Sequence, residues 1–538
     1  MRLLPENTYD ADPALKSQLA HRLSEAAQQW AEPQLREMGA QAAAELQALG
    51  EACERQPAYL RPVDPWGERV DEVVYPDAWR QIAAVAARSG CVALPYEHEA
   101  LEQAGPQVRI VQAALCYLFA PSTATYHCPV AMTDAAARVL IEYGSDDLKE
   151  SVLPHLVSRN PADAWTAGQW MTEVQGGSDV GANSVEARRQ GDGWRLYGRK
   201  FFCSNVGGEV VLALARPQGA GPGTRGLGLF LIPRLLPDGS RNSYRIERLK
   251  DKLGTRAMAT GEVILEGADA ELVGDLERGF QQMTPMLNIT RLQNAIAAAA
   301  GMRRGLMLAR CYASQRQAFG RRLDRQPLQR QVLLEMAVQA EAALALTLRI
   351  AELLGRIECR VAREEEELLF RIGTSLVKLY TARQAVAMAS EAIECFGGQG
   401  YMEDTGIARL LRDAQVLPIW EGTTNVLSLD ALRVLGKPGV AEAYLAELRR
   451  LGAPALPEVD ALLKRLSRHQ PEAVLRSARR TASRLTEAWI GGLLVEAAAR
   501  GAREAAVAES WLSREPSTGP EDAFDLVVDG AAAVTLPG

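Results

Sequence analysis

One change of hydrophobic rhythm constrains this chain more than any other feature. From about 166 to 274 apolar residues alternate with polar ones and are broken by Gly and Pro clusters, whereas both flanks repeat apolar residues at helical spacing. One core does not serve both patterns over 538 residues, so several domains are expected. The rhythm predicts an α+β multidomain fold. Its parts are an N-terminal α-helical domain over 1–165, a small antiparallel β domain over 166–274, a C-terminal four-helix bundle over 275–436, and an extra helical domain with a loose tail over 437–538.

Local signals support each block. Gln41-Ala-Ala-Ala-Glu-Leu-Gln-Ala-Leu shows helical spacing, and 59–75, carrying Pro62, Pro65 and Gly67, is expected to be a surface excursion. In the second block, Val185-Glu-Ala-Arg-Arg and Gly193-Trp-Arg-Leu-Tyr flank Gln190-Gly-Asp-Gly, a hairpin turn signal, and the block reads as a small sandwich or barrel. Long helices are expected over about 290–315, 327–356, 364–396 and 418–435.

Composition excludes several classes. With 47% hydrophobic and 24% charged residues the chain has the make-up of a soluble globular protein, and a net charge of −7 gives no general field for nucleic acid or an acidic membrane. No uninterrupted apolar run approaches the ~20 residues of a membrane helix. The N-terminus lacks a secretory pattern, so no membrane span and a cytoplasmic location are expected. Eight scattered cysteines without CxxC and five histidines without HxxxH predict neither a disulfide framework nor a metal site.

Five stretches carry chemistry. Trp170-Met-Thr-Glu-Val-Gln-Gly-Gly-Ser-Asp-Val180 is either a glycine turn stabilised by Ser and Asp or a cradle of amides and hydroxyls for a ring edge or pyrophosphate. Gly198-Arg-Lys-Phe-Phe-Cys-Ser-Asn205 ends a strand; since strand neighbours face opposite ways, one phenylalanine is expected in the core and the other against a ligand. Arg316-Gln-Ala-Phe-Gly-Arg-Arg is a basic inter-helix loop, or a site placing Arg316 on a phosphate and Phe319 on a ring across a subunit boundary. Gly397, Gly398 and Gly400 end a helix and permit close backbone approach. In Pro418-Ile-Trp-Glu-Gly-Thr-Thr-Asn425, Glu421 sits without charged neighbours: a helix N-terminal carboxylate, or a base made stronger by desolvation.

In this order and spacing the five stretches resemble the acyl-CoA dehydrogenase flavoproteins, whose patterns include T-E-x-x-x-G-S-D, aromatic-x-S/T-N, R-x-x-F-G, F/L-G-G-x-G and Y/W-E-G-T. The resemblance covers about 165–434. "MTEVQGGSDV", "LPDGSRNSYRIERLKDKLGTRA" and "IWEGTTNVLSLDALRVL", with the long N-terminal lead and the extra C-terminal domain, are most similar to the AidB-type, alkylation-response branch.

The resemblance implies removal of an α-proton and a β-hydride from an acyl-CoA thioester, with Glu421 as base and the flavin N5 as hydride acceptor. It implies FAD held by Thr172, Ser178, Phe202, Ser204, Arg316, Phe319, Gly398, Thr423 and Asn425, and Arg291 near the base. Departures from the commonest pattern are Phe202 for Trp, Ser204 for Thr, Glu394 for Gln and Asn425 for Gln. A homotetramer or homodimer is implied, with an electron acceptor such as an electron-transfer flavoprotein; an acyl-CoA oxidase would use oxygen instead. Between Lys464 and Arg484, Lys464, Arg465, Arg468, Arg476, Arg479, Arg480 and Arg484 face one acid, Glu472. In the AidB-type branch such a surface is associated with DNA, which leaves as an alternative a flavoprotein that binds DNA or lipid with weak or vestigial dehydrogenase activity; the favoured account of the segment is a solvated amphipathic helix, because the chain from Lys437 onward is nearly neutral.

Overall fold

The computed structural model describes residues 3–466 and 470–513; Arg468 and the expected tail beyond 513 lie outside the described residues. The N-terminal block is helical. Its elements include α1 (Glu25–Ala43), which carries a Ser24 cap on the Ala27 N–H, α2 (Val108–Phe119) and α3 (His127–Tyr143). The excursion at 59–75 is a hairpin of β1 (Tyr59–Val63) and β2 (Arg69–Val74) with Trp66 exposed at its tip.

The β block contains β3 (Ala167–Trp170), β4 (Glu186–Gln190), β5 (Gly193–Ser204), β6 (Val210–Pro217), β7 (Gly228–Pro233), β8 (Tyr244–Leu249) and β9 (Thr260–Leu272). The pairings β6–β4, β4–β5, β5–β9, β9–β7 and β7–β6 close a ring, with β3 added on β6 and β8 on β9. Closure leaves unpaired edges only on the added strands β3 and β8, and the domain holds a core of Trp170, Trp194, Leu196, Phe230, Ile232 and Val263. Most pairings are antiparallel, but β3–β6 and β4–β6 are parallel, because each pair is joined by a long connection instead of a tight turn.

The C-terminal block is built on α4 (Thr284–Gln315), α5 (Pro327–Glu358), α6 (Glu364–Cys395) and the shorter α7 (Thr424–Leu435), followed by α8 (Ala478–Ala498), which packs on α5, α6 and α7. Pro285 at the start of α4 explains why this helix begins earlier than expected: proline is at ease in a first turn. The fourth helix begins six residues later than expected. Glu421 and Gly422 have φ of 56° and 101°, and a right-handed helix does not pass through such residues. By length and composition α5 could cross a membrane, which a search for uninterrupted apolar runs overlooked. Here it is a bundle helix, with Leu344, Leu346, Leu348 and Ile350 buried against its neighbours.

Candidate active site

Glu421 lies in the loop between the helix Ile407–Ala414 and α7, facing α4 and α6. Thr290 Oγ1 on α4 donates to Glu421 Oε2 at 2.6 Å. The loop backbone is held by two cations: Arg291 Nε donates to the Glu421 carbonyl at 3.4 Å, and Lys378 Nζ on α6 donates to the Gly422 carbonyl at 2.6 Å. Behind them Asp430 accepts from Arg291, Arg371, Ser375 and Arg433. Although burial opposes its charge, these donors, Arg371 first, hold the Asp430 carboxyl well below the usual carboxylate range.

The Glu421 carboxyl is tuned in the opposite direction. Burial pushes the Glu421 carboxyl up, only partly offset by the Thr290 hydrogen bond and the charges of Arg291 and Lys378. Burial also takes Lys378 down to about 7, against the attraction of Glu421. Trp420 packs on the main core, whereas Ile419 is 60% exposed. Sequence reasoning named Arg291 but missed Thr290, Lys378 and Asp430 as neighbours of the Glu421 loop. A lysine inside Ser375-Leu-Val-Lys-Leu-Tyr380, an otherwise apolar helical run, is the signal that could have found one of them.

The residues of the other four motifs lie on four separate parts of the chain. Glu173, buried, accepts from Lys200 Nζ at 2.9 Å, from the Ser184 N–H and hydroxyl, and from the Val185 N–H, thereby anchoring the loop that exposes Ser178. Any Cβ at Gly177 would come within 2.5 Å of the Thr172 hydroxyl, so that glycine is required for the turn to fold over Thr172. On β5, a bulge between Lys200 and Cys203 overturns the expectation that one phenylalanine enters the core: Phe201 and Phe202 both stay outside it, edge to face at 5.0 Å. The extra residue of the bulge breaks the alternation of faces. Lys250 Nζ sits 3.5 Å from the Phe201 ring centroid, and Ser204 Oγ is 3.5 Å from Thr260 Oγ1.

Arg316 precedes a two-residue hairpin, β10 (Gln317–Ala318) and β11 (Arg321–Arg322). Phe319 and Gly320, with φ of 50° and 78°, form its turn, which leaves the Phe319 ring 95% exposed. Arg316 also lines a cavity of about 330 Å³ with Leu3, Tyr312, Phe396, Gln399 and Thr405. The glycines of the fourth motif divide their work. Gly400 is packed against the Ile393 carbonyl, Gly397 makes the turn at φ 58°, and Gly398 faces open space.

Several of these groups are free to meet a ligand. Phe202 and Phe319 present rings, Gly398 leaves the backbone accessible, and the hydroxyl of Thr423, although at the N-cap of α7, makes no capping bond. Asn425 is the exception: its amide oxygen accepts from Arg479 Nε of α8 at 2.5 Å, leaving the NH2 group to donate. In the basic segment, Lys464 pairs with Asp460 and Arg476 with Glu472, each one helical turn apart. Together with the Arg479–Asn425 bond, this agrees with an amphipathic helical surface.

Comparison with known proteins places this architecture. Residues 277–436 match the family pattern described as acyl-CoA dehydrogenase, C-terminal domain, and 168–268 match acyl-CoA dehydrogenase, middle domain. The chain belongs to the acyl-CoA dehydrogenase family, a family of flavoprotein oxidoreductases.

Within that family it falls in the AidB-type branch, since 2–161 match the adaptive response protein AidB N-terminal domain. Acyl-CoA dehydrogenase family member 11 of Caenorhabditis elegans is 40% identical over 90% of this chain and 80% of its own length. The putative acyl-CoA dehydrogenase AidB of Escherichia coli is 36% identical over 75% of this chain and 74% of its own. The solved structure of C. elegans ACDH-11 in complex with C11-CoA superposes with a TM-score of 0.92 at 36% identity, covering 98% of this chain and 96% of that one.

Proposed function

We propose that the chain dehydrogenates an acyl-CoA thioester between its α and β carbons, with Glu421 as the base that takes the α-proton. The observation that carries this reading is the Glu421 loop: a carboxylate made more basic by burial, on a left-handed backbone held by Arg291 and Lys378. With Thr290 donating to Oε2, Oε1 is the oxygen left to receive the proton. The Glu421 N–H donates to no acceptor among the described residues and is suited to hold the thioester oxygen as negative charge grows there. FAD, when bound, supplies the acceptor for the β-hydride.

Thr172, Ser178, Phe202, Ser204, Arg316, Phe319, Gly398, Thr423 and Asn425 are proposed to hold FAD. The exposed Phe319 hairpin supports a homotetramer or homodimer in which one protomer reaches the flavin of its partner. Eight free thiols fit a reducing, cytoplasmic compartment, and an electron-transfer flavoprotein is the proposed acceptor. The C11-CoA held by the C. elegans relative supports a fatty acyl thioester as substrate.

Anaerobic mixing with acyl-CoAs of short, medium and long chain tests the reading. Wild type should bleach its flavin with at least one of them. Glu421→Gln should retain FAD and lose bleaching by roughly 10²–10⁴-fold; bleaching at the wild-type rate would remove Glu421 from the mechanism.

A further inference from the structure

Lys378 has an unusual position for an ammonium. It is 0% exposed, on α6, among Leu376, Val377, Leu379 and Thr381, all buried. Burying such a group is costly unless it is paired and hydrogen-bonded. Yet Lys378 has no ion-pair partner within bonding distance among the described residues, and its recorded hydrogen bond goes to a backbone carbonyl, Gly422 O, at 2.6 Å. That carbonyl belongs to the residue after Glu421. Arg291, from α4, holds the carbonyl of Glu421 itself. Two successive carbonyls of a left-handed loop are thus held by donors on two different helices.

We propose that Lys378 is a positioning residue for the base: it clamps the loop through the Gly422 carbonyl, and its charge helps hold the Glu421 carboxylate in the ionised form. This rests on the reading of Glu421 as base. The groups acting on Glu421 are Thr290 and Arg291 from α4 and Lys378 from α6, while Cys128 of α3 feels its charge; those acting on Lys378 are Glu421 and Arg291. The sign follows from the geometry. A neighbouring positive charge stabilises the carboxylate and lowers its pKa, so removing that charge raises the pKa and moves the acid limb of the rate profile to higher pH.

Three variants separate clamp from charge. Lys378→Arg keeps a donor and the charge, Lys378→Gln keeps a donor alone, and Lys378→Met keeps neither. Flavin bleaching by acyl-CoA is measured against pH in each holoenzyme, beside flavin content and melting temperature. The acid limb should move up by about one pH unit in the Gln and Met variants and stay with wild type in Arg. The plateau rate of Met should fall a further roughly tenfold below that of Gln, as the loop loses its orientation. If Met does not fold, the Gln and Arg limbs decide. Coincident limbs in Gln, Arg and wild type, with flavin retained, would reduce Lys378 to a structural tie and overturn the proposal. Wild type that bleaches while its variants show no shift strikes Lys378 alone; wild type that bleaches with no acyl-CoA overturns the base assignment and this inference together.

Discussion

The two sides of the site are built in contrasting ways. Around Glu421 the chain supplies nearly everything itself: a hydroxyl on the carboxylate, cations on successive carbonyls, and a braced aspartate behind them. On the side proposed to hold the flavin, Ser178, Phe319 and Gly398 are exposed on separate turns and Phe202 on β5, and only the supports beneath them are buried. The contrast fits the tasks proposed for the two sides. A base must be held away from water in one geometry before substrate arrives, whereas groups that stack on a ring or contact a phosphate need access, and their order is completed by what they bind.

The largest effect that would break this contrast is expected on the proposed flavin side, below its surface. Lys200→Met leaves Glu173 buried without its cation, and should cost about 3–5 kcal/mol in denaturant unfolding, with flavin lost in parallel. A cost below 1 kcal/mol would show that the Ser178 loop does not depend on its buried anchor. Next in size, Gly422→Ala puts a side chain at φ 101° with Leu427 Cδ2 only 3.0 Å from the new Cβ. About 1–3 kcal/mol of strain is expected, with turnover falling more than flavin content. Equal losses of both would mean that the base loop and the flavin loops are not separate units.

A smaller effect has an informative sign. Because the folded pKa of Glu421 is raised, ionising it at neutral pH weighs against folding, and that burden disappears as pH falls below the unfolded carboxylate value. Glu421→Gln is therefore expected to melt higher than wild type at pH 7 and to lose this advantage on acidification. Asp430, depressed by its arginines, has the opposite sign. Its contribution is full above the unfolded carboxylate value and is lost as pH falls toward its folded one, so Asp430→Asn should melt lower at pH 7. Differential scanning of both variants against pH checks the pair. The smallest effect on stability belongs to Phe319→Ala. The exposed ring should leave the melting temperature of the flavin-free protein unchanged, while flavin dissociation rises roughly tenfold, as for loss of one aromatic contact. An unchanged dissociation rate would remove the hairpin from the flavin site.

Much of the architecture was legible because it is local. The Gln190-Gly-Asp-Gly turn joins β4 to β5 in the register its glycines allow, and the long periodic runs became α4, α5 and α6 with ends displaced by a few residues. The motif order also identified the family from short runs of residues. Where local rules were followed too literally they failed. Alternation put one of Phe201 and Phe202 in the core until a bulge removed both, and helical continuity carried α7 back through Pro418 until the left-handed Glu421 stopped it.

Sequence alone therefore determined the division into helical and β blocks and the glycines at turns, and it singled out Glu421 as the candidate acid, because spacing and backbone freedom act between near neighbours. The tertiary structure decided how that acid is controlled. Thr290 lies 131 residues from Glu421 along the chain and Lys378 lies 44 from Gly422, and only the packing of α4 and α6 around one loop brings the hydroxyl and the ammonium to it. No periodicity records such pairings, since side chains meet across helices according to how their faces pack.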